Sequence, residues 1–590
     1  MTRTVKPQGS TTSTNDVFYL LMAAAIVTTA VGLWLPVVLA RPPGYAGGGP
    51  VAVVAGLFKG TITWTVACTV WLVIELLIVA ALIAAGWRWR SHRRAKRMRG
   101  DEVIGSMAKP ADLAHLTGKQ AEATARRLQP HLDSSTRLDA GQIGPILMRD
   151  LRAKGRLMHA SLEDTVVIIT GPRRGKTLCL AIPAVVAHHG PVLATANKRD
   201  IVDDTRGVRK QHGDVWIFDP QQIAQAEQTW WFNPLAEATN VQTAREIAGI
   251  FAAAEREPGA KADAHFDNAA RNLITCLILA AAVGKKTLVD VYRWTTNPDS
   301  VMTAVTILED AAAGGGERAY EYVEMARLAA EELAAFHNEP DKMRGSTFGS
   351  ARTMLNCLAN PAYTRWICPG AASRVFDPHA FVTSNDTLYL LSEGGSSSPA
   401  SLVALLTAAV MRAARHKASR SPNGRLSPAL LIILDEAANI CRLPDLPKWL
   451  SFFGGQGLPM MVVLQSYSQG EGVWGRLGMD SMFDEASHIL YLGGLKDPRY
   501  LDKLSQLIGE HDITVQSRSN SRQGTSTSTQ ARRERIISVA DLAALPLGRA
   551  VLIPSGAPAI LGATVPWFDG PHAATIQASH EAYTPRGEQP

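Results

Sequence analysis

The sequence TVVIITGPRRGKT, residues 165–177, decides the fold. Its first half is an apolar, β-branched run typical of a buried strand, and its second half is a turn that ends in Gly-Lys-Thr. A strand, turn and helix of this kind bind nucleotide phosphates, because backbone N–H groups surround the phosphates and the helix directs its positive end at them. The predicted phosphate-binding residues are Gly171, Pro172, Arg173, Arg174, Gly175, Lys176 and Thr177.

Two side chains of this loop carry predicted roles in chemistry. Lys176 is expected to reach the outer phosphates of ATP, and Thr177 to hold Mg²⁺ through its hydroxyl. The usual spacing places a glycine five residues before Gly175, but Thr170 occupies that position and the glycine follows at Gly171. An ordinary β-to-α turn is the alternative interpretation, so a second motif has to decide.

The second motif is LLIILDEAAN, residues 430–439, an apolar run that ends at two adjacent carboxylates. It predicts a central strand of a parallel sheet. Phosphoryl transfer depends on positioning and charge stabilisation, so Asp435 is assigned to the Mg²⁺ shell and Glu436 to polarising the attacking water. The alternative is an acidic N-cap of the next helix.

A third apolar run, residues 460–464, is followed by Gln465, where RecA-like motors place a γ-phosphate sensor. The three motifs in this order predict an α/β fold with a RecA-like P-loop ATPase core that uses ATP and Mg²⁺. Lys176, Glu436 and Gln465 are its predicted catalytic residues. Further strands are predicted at residues 191–195, 215–219, 387–391, 488–492 and 550–553.

The N-terminal part of the chain is strongly apolar. Residues 16–40 and 61–87 are each long enough to cross a bilayer of roughly 30 Å as a helix. They predict a transmembrane hairpin over residues 16–87, with an extracytoplasmic loop at 41–60 that is rich in Pro and Gly. A cleavable signal peptide is the competing interpretation, but the second run would stop its transfer.

The basic cluster RWRSHRRAKRMR, residues 88–99, follows the second apolar run directly. The positive-inside rule places it in the cytoplasm, so both termini, including residues 1–15, are expected there. This predicts a multi-pass protein of the bacterial inner membrane. Much of the net charge of +7 lies in this cluster, and by itself it does not indicate nucleic acid. Glu75 lies in the second run, either as a subunit contact or as a carboxyl group that is protonated or reaches toward water.

The remaining chain divides by composition. Residues 241–370 are alanine-rich with helical periodicity and predict an all-α domain inserted into the α/β core. Residues 514–535 are rich in Ser, Thr and Arg and predict a mobile loop that contacts DNA phosphates or is simply solvated. Six cysteines without paired spacing predict reduced thiols and no zinc. The other predicted segments are a basic connector (88–160), the two parts of the nucleotide-binding domain (161–240 and 371–570) and a disordered tail (571–590).

The tags GPRRGKT, AIP (181–183), NKRD (197–200), FDP (218–220), WFNPL (231–235), ILDEAANI and VVLQSYSQ follow one another after the predicted hairpin. In this order the chain resembles the type IV secretion coupling proteins, the VirD4/TraG/TraD family of conjugative DNA-transfer ATPases. The resemblance implies a membrane-anchored homo-hexamer around a channel. It also implies that the assembly recruits a relaxase-bound single DNA strand, or protein substrates, to the channel proteins of the secretion system, with the all-α domain reading the substrate.

The sequence departs from that family in the region before the sensor strand. Some relatives carry a basic residue there that acts as an arginine finger, but residues 453–457 are FGGQG. Arg442 and Arg476 are the remaining candidates for a finger. Two other functions stay open. An FtsK-like DNA translocase shares the core and the anchor, although such motors usually carry a C-terminal winged helix, and a receptor for protein substrates would use nucleotide only as a switch.

Overall fold

The structure is a computed structural model that describes residues 32–95, 101–130, 132, 137–152, 155–255, 264–314, 320–370, 374–395, 397–521 and 524–585. The chain forms two compact units. The first contains residues 1–101 and 510–534, and the second contains residues 102–509 and 535–590.

In the described part of the first unit, residues 32–40 are helical, and two further helices follow, α1 (Pro50–Phe58) and α2 (Val66–Ala95). The predicted 41–60 loop therefore includes a helix, which begins with a proline in its first turn. Val37, Val53, Ile62 and Cys68 form a small buried cluster. Among the described residues, no helix combines the length and the apolar character that a membrane crossing requires. Most of the first predicted span and the side chains of the basic cluster lie outside the described residues.

The first unit also contains a two-stranded hairpin, β12 (Glu510–Ser521) and β13 (Gly524–Arg535). The segment predicted as a mobile loop, 514–535, lies within this hairpin and is not an irregular loop in its described part. The low apolar content of this segment excludes a buried core, but it does not exclude a hairpin, because the backbone hydrogen bonds between two strands need no apolar side chains.

The second unit is built on an eleven-stranded sheet with the order β2-β1-β15-β14-β11-β3-β10-β9-β4-β8-β5. Seven neighbouring strands, from β11 to β5, run parallel. A separate two-stranded sheet pairs β6 (Trp230–Trp231) with β7 (Arg374–Val375). The eleven strands are β1 (Ile146–Asp150), β2 (Leu157–His159), β3 (Thr165–Ile169), β4 (Val192–Ala196), β5 (Val215–Phe218), β8 (Thr387–Leu391), β9 (Leu431–Leu434), β10 (Met460–Leu464), β11 (His488–Tyr491), β14 (Arg549–Pro554) and β15 (Ile560–Ala563).

The central strands are almost entirely apolar because helices cover both faces of a parallel sheet. Strands β3, β4, β8, β9 and β10 are buried along their whole length. Their register aligns Ile169 with Leu464, and Leu434 with Thr195. The residues that follow β3, β4, β9 and β10 therefore meet at one edge of the sheet.

The 88–160 segment is not a connector along its whole length. Strands β1 and β2 extend the sheet, since β1 pairs antiparallel with both β15 and β2. Between residue 101 and β1 lie two further helices, α3 (Gly118–Leu128) and α4 (Ala140–Ile143). These strands are short and mix polar with apolar residues, so their sequence carries little strand signal of its own.

Helices fill the region between the two parts of the sheet. The helices of this region are α7 (Val241–Glu255), α8 (Ala264–Val283), α9 (Leu288–Thr296), α10 (Val301–Ala313), α11 (Tyr320–His337), α12 (Asp341–Met354) and α13 (Pro361–Thr364). Helix α8 is the centre of this helical region, because Leu273, Ile274, Leu277 and Ile278 on it are completely buried. The hydrophobic core of this helical region is continuous with the hydrophobic core on one face of the sheet.

The sheet is covered by the remaining helices of this unit. They are α5 (Ile182–Ala187), α6 (Asp200–Arg209), α14 (Pro378–Phe381), α15 (Ala400–Ser419), α16 (Ala437–Ile440), α17 (Leu446–Trp449), α18 (Tyr467–Glu485), α19 (Pro498–Ile508), α20 (Val539–Ala543) and α21 (Ala573–Tyr583).

The predicted disordered tail, 571–590, contains helix α21, so that prediction was wrong for its described part. Helix α21 packs on α6: Ser579 donates to the carbonyl of Asp203, and the ring of Tyr583 lies 3.9 Å from the guanidinium of Arg206. Ile576 is buried. Tertiary contacts of this kind hold a helix whose own sequence has weak amphipathic character.

Candidate nucleotide site

The predicted phosphate-binding loop connects β3 to a helical turn at Thr177–Ala181 that continues into α5. Arg173 and Gly175 both have positive φ angles, of 57° and 82°. Gly171 donates its N–H to the carbonyl of Gly493 at 3.0 Å. A Cβ on Gly171 would lie 2.3 Å from the carbonyl oxygen of Gly494, so this close approach of two backbones requires glycine.

Thr170 explains why the glycine is displaced by one position. Its side chain is completely buried, and its hydroxyl donates to the carbonyl of Gly493 at 3.3 Å. Position 170 therefore belongs to the core at the end of β3, and the tight turn starts one residue later than the usual spacing predicts.

The guanidinium of Arg174 points away from the centre of the loop. It donates to the carbonyls of Leu492, Leu545 and Pro546 at 2.7 to 2.9 Å. Burial lowers its pKa. Arg174 can therefore contact a phosphate through its backbone N–H but not through its side chain. The side chain holds the loop against the residues that follow β11 and precede β14.

Lys176 lies between the two predicted carboxylates. Its Nζ is 2.8 Å from Asp435 Oδ1 and 3.0 Å from Glu436 Oε1. Burial opposes the charge of the ammonium, but Asp435 and Glu436 outweigh it and raise the pKa of Lys176. Two motifs separated by about 260 residues in the sequence are therefore in direct contact, which excludes an isolated β-to-α turn.

The two carboxylates differ in their surroundings. Burial raises the pKa of Asp435 even though Lys176 opposes this. Burial also acts on Glu436, but Lys176, Gln465 and Asn439 outweigh it and lower the pKa of that carboxyl. Glu436 is thereby held ionised, as a group that polarises water must be. Its backbone has a φ of 52°, a left-handed conformation that is uncommon outside glycine and typical of functional sites.

Glu436 is the centre of a hydrogen-bond network at the sheet edge. Gln465 donates to its Oε1 at 2.6 Å, and Asn197 donates to its Oε2 at 2.7 Å. Asn439 donates to Oε2 at 3.3 Å. Gln465 was predicted, whereas Asn197 was not assigned to the site. The available signal was its place directly after β4, the strand next to β9.

The donor set fits a nucleotide with Mg²⁺. The loop curls with two left-handed residues and leads into a helical turn, which directs N–H groups and the helix dipole toward an anion. No cluster of three His, Cys, Asp or Glu residues suited to a metal occurs among the described residues. Mg²⁺ in such sites takes one or two protein oxygens and completes its shell with phosphate and water, so Thr177 and Asp435 suffice.

The two candidates for an arginine finger have different surroundings. Arg442 is half-buried, donates to the carbonyls of Ala438 and Ala254, and has a pKa lowered by burial. The side chain of Arg476 is 86% exposed and lies 3.8 Å from Asp480. Arg476 is therefore the one of the two that is accessible to a second subunit.

Comparison with known proteins identifies a family and a fold. Residues 118–587 match the sequence model of the family described as type IV secretory system conjugative DNA transfer. Two solved forms of the bacterial conjugative coupling protein TrwBdeltaN70 have similar structures. The unbound monoclinic form has a TM-score of 0.50 and 16% identity over 75% of this chain and 90% of its own. The trigonal form in complex with sulphate has a TM-score of 0.51 and 16% identity over 76% and 93%. No curated protein matches the sequence.

Proposed function

The chain belongs to the type IV secretory system conjugative DNA-transfer family, and from this premise we propose that it is a coupling ATPase. Such a protein recruits DNA, as a relaxase-bound single strand, or protein substrates to a secretion channel and powers or gates their transfer. The observation that carries the ATPase assignment is the contact of Lys176 with Asp435 and Glu436 beside Gln465.

The proposed reaction is attack of water on the γ-phosphorus of ATP, which breaks the bond to the β,γ-bridging oxygen and releases ADP and phosphate. Backbone N–H groups of residues 173–177 bind the phosphates, and Lys176 exchanges its carboxylate partners for the outer phosphates. Glu436 polarises the water and accepts its proton, because its donors hold the carboxylate oriented. Gln465 adjoins this carboxylate and senses the γ-phosphate. Thr177 and Asp435 would hold Mg²⁺, which supplies charge stabilisation on the phosphates.

We place this motor at the cytoplasmic face of the bacterial inner membrane. The support is the sequence of residues 16–40 and 61–87, two apolar runs long enough to span a bilayer, followed by the basic cluster 88–99. We further propose assembly as a homo-hexamer with secretion-channel proteins as partners, by resemblance to the family.

The experiment that tests this function measures steady-state ATP hydrolysis of the full chain in detergent, with and without single-stranded DNA. Lys176→Ala is expected to lower turnover at least 100-fold, roughly the value of removing a group that stabilises transition-state charge. Circular dichroism checks that this variant is folded. Turnover retained in Lys176→Ala would remove the assignment of the phosphate-binding loop.

A second variant separates binding from hydrolysis. The Glu436→Gln variant is expected to bind ATP in a filter-binding assay but not to hydrolyse it. Glu485→Gln, at an exposed residue, is the matched control. Turnover that depends on Lys176 but is indifferent to DNA would support a receptor for protein substrates instead.

A further inference from the structure

A groove outside the nucleotide site lies between α7, α15 and the segment 444–456. Its volume is about 910 Å³, and it contains no residue of the phosphate-binding loop, of the acidic pair or of the sensor. It meets a second cavity of about 750 Å³ at Gly249, Arg271 and Pro444, which line both. We call the 910 Å³ space the arginine–aromatic groove.

The groove has an excess of positive charge. Its two carboxylates are already paired, Glu246 with Arg412 at 3.1 Å and Asp445 with Lys448 at 2.9 Å. Three more cations line it without a carboxylate partner among the described residues, namely Arg245, Arg271 and Arg415. The second cavity has as many carboxylates as arginines, so the excess is specific to the groove.

Two buried polar atoms of the lining have no hydrogen-bond partner among the described residues. They are Nε of Arg271, a donor, and Oε1 of Gln456, an acceptor. Buried polar groups are nearly always satisfied in folded proteins, because an unsatisfied one costs the free energy of its lost hydration. A donor and an acceptor in the lining of one groove indicate a ligand with both an anionic group and an N–H edge.

Aromatic rings of the segment 444–456 also line the groove. Trp449 stacks on Phe453 with 5.3 Å between ring centroids and 9° between planes, and Phe452 packs edge-on against Phe453 at 5.2 Å. Trp449 and Phe452 are only half-buried. The guanidinium of Arg415 lies 5.2 Å from the Phe452 ring centroid, which brings a cation and a flat apolar surface together.

From these contacts we infer that the arginine–aromatic groove binds single-stranded nucleic acid. Unpaired arginines contact phosphates, rings accept the faces of bases, and the Gln456 oxygen accepts a base N–H. A duplex keeps its base faces stacked inside and cannot offer them to Trp449 or Phe452. Continuity with the second cavity favours a strand of several nucleotides over a mononucleotide. The inference rests on the proposed function and adds the place where the strand lies.

The test measures binding of a fluorescein-labelled oligothymidylate to the full chain in detergent by anisotropy, at several salt concentrations. Arg245→Ala and Arg415→Ala are expected each to lower the slope of log affinity against log salt by about 0.7. Phe452→Leu keeps the apolar volume and is expected to weaken binding roughly 5- to 100-fold through lost stacking. Arg420→Ala, on an exposed residue just after α15 and outside the groove, is the matched control.

The outcomes distinguish this inference from the proposed ATPase. Weakened binding in the groove variants with unchanged DNA-free hydrolysis supports it, and so does retained binding in Lys176→Ala. Wild-type affinity in all three groove variants, or no binding by the wild-type chain, would overturn it. Equal binding of labelled polyglutamate, lost in the same variants, would also overturn it in favour of an acidic polypeptide.

Discussion

At the residue scale, the site is organised around the carboxylate of Glu436. Its two oxygens accept hydrogen bonds from four side chains. Lys176 lies in the loop after β3, and the other three follow different strands, namely Asn197, Gln465 and, with a longer bond, Asn439. Each donor favours the ionised form, because a hydrogen bond to a charged acceptor is stronger than one to a neutral acceptor. The network thus sets both the orientation and the protonation state of the carboxylate to which we assign the polarisation of water.

Asn197 can be tested through the pH dependence of hydrolysis. Asn197→Asp places a second negative charge about 2.7 Å from Oε2 of Glu436, and like charges disfavour ionisation. We expect the acidic limb of the kcat/KM profile to move to higher pH. Asn197→Ala removes one donor without adding charge and should move the limb in the same direction by less. A limb at the wild-type pH in both variants would show that Asn197 does not act on Glu436.

A second residue-scale prediction concerns stability and pH at His189. Its hydrogen bond to Asp139, at 2.7 Å, raises the pKa of His189 above its ordinary 6.5, although burial opposes this. For Asp139 burial opposes ionisation, but the bond to His189 outweighs it and lowers the pKa of that carboxyl below 3.8. The pair therefore stabilises the folded protein at pH values between the pKa of folded Asp139 and the pKa of folded His189. This stability is lost as pH rises through the pKa of folded His189, and it is lost as pH falls through the pKa of folded Asp139.

His189→Gln is the variant that isolates this pair. We expect the difference in urea midpoint between wild type and variant to be largest near about pH 5 and to shrink toward about pH 8.5. We compare wild type with variant because neighbouring His188 changes stability with pH in the opposite direction. Burial lowers the pKa of His188 to about 3, so His188 destabilises the folded protein as pH drops below 6.5. A difference that stays constant over this range would contradict the ion pair.

At the scale of the element, helix α21 is the clearest case of structure imposed by neighbours. It packs on α6, which begins at Asp200, three residues after Asn197. His580 bonds Asp204 at 2.7 Å, and the backbone carbonyl of Tyr583 accepts from Arg199. Helix α21 therefore stabilises α6, the helix that begins shortly after Asn197, and Asn197 donates to Glu436.

Tyr583→Ala tests this support. Loss of the ring under Arg206, at 3.9 Å, is expected to cost about 1 kcal/mol of unfolding free energy and to speed amide exchange in α6. Tyr583→Phe keeps the ring and loses only the hydroxyl that accepts from Lys210 at 3.3 Å, so its loss should be smaller. Wild-type exchange in α6 of the alanine variant would show that α21 does not stabilise it.

At the scale of the whole molecule, hydrolysis is expected to depend on assembly. The side chain of Arg442 is committed to carbonyls of its own chain, whereas Arg476 is exposed. A guanidinium that reaches a neighbouring subunit's phosphates would supply charge stabilisation missing in the isolated chain.

Arg476→Ala is therefore expected to lower kcat by roughly 100-fold or more with little change in nucleotide affinity. Arg499→Ala, on another largely exposed arginine, is the control. Mixing Arg476→Ala with Lys176→Ala should restore activity, since a subunit with an intact loop then meets a partner with an intact arginine. Unchanged kcat in Arg476→Ala would exclude it as the finger.

The sequence alone determined the parallel core and most of the site, because both follow from local patterns. Apolar β-branched runs form strands such as β3, β9 and β10 where they are buried. The segments that follow these strands contain Lys176, Asp435, Glu436 and Gln465. Tertiary structure decided what those patterns do not encode. Register brought Asn197 to Glu436, backbone contact with Gly494 fixed the glycine at 171 instead of 170, and packing on α6 folded a tail of weak helical signal. Each of these depends on residues distant in the sequence, whose proximity only the folded chain creates.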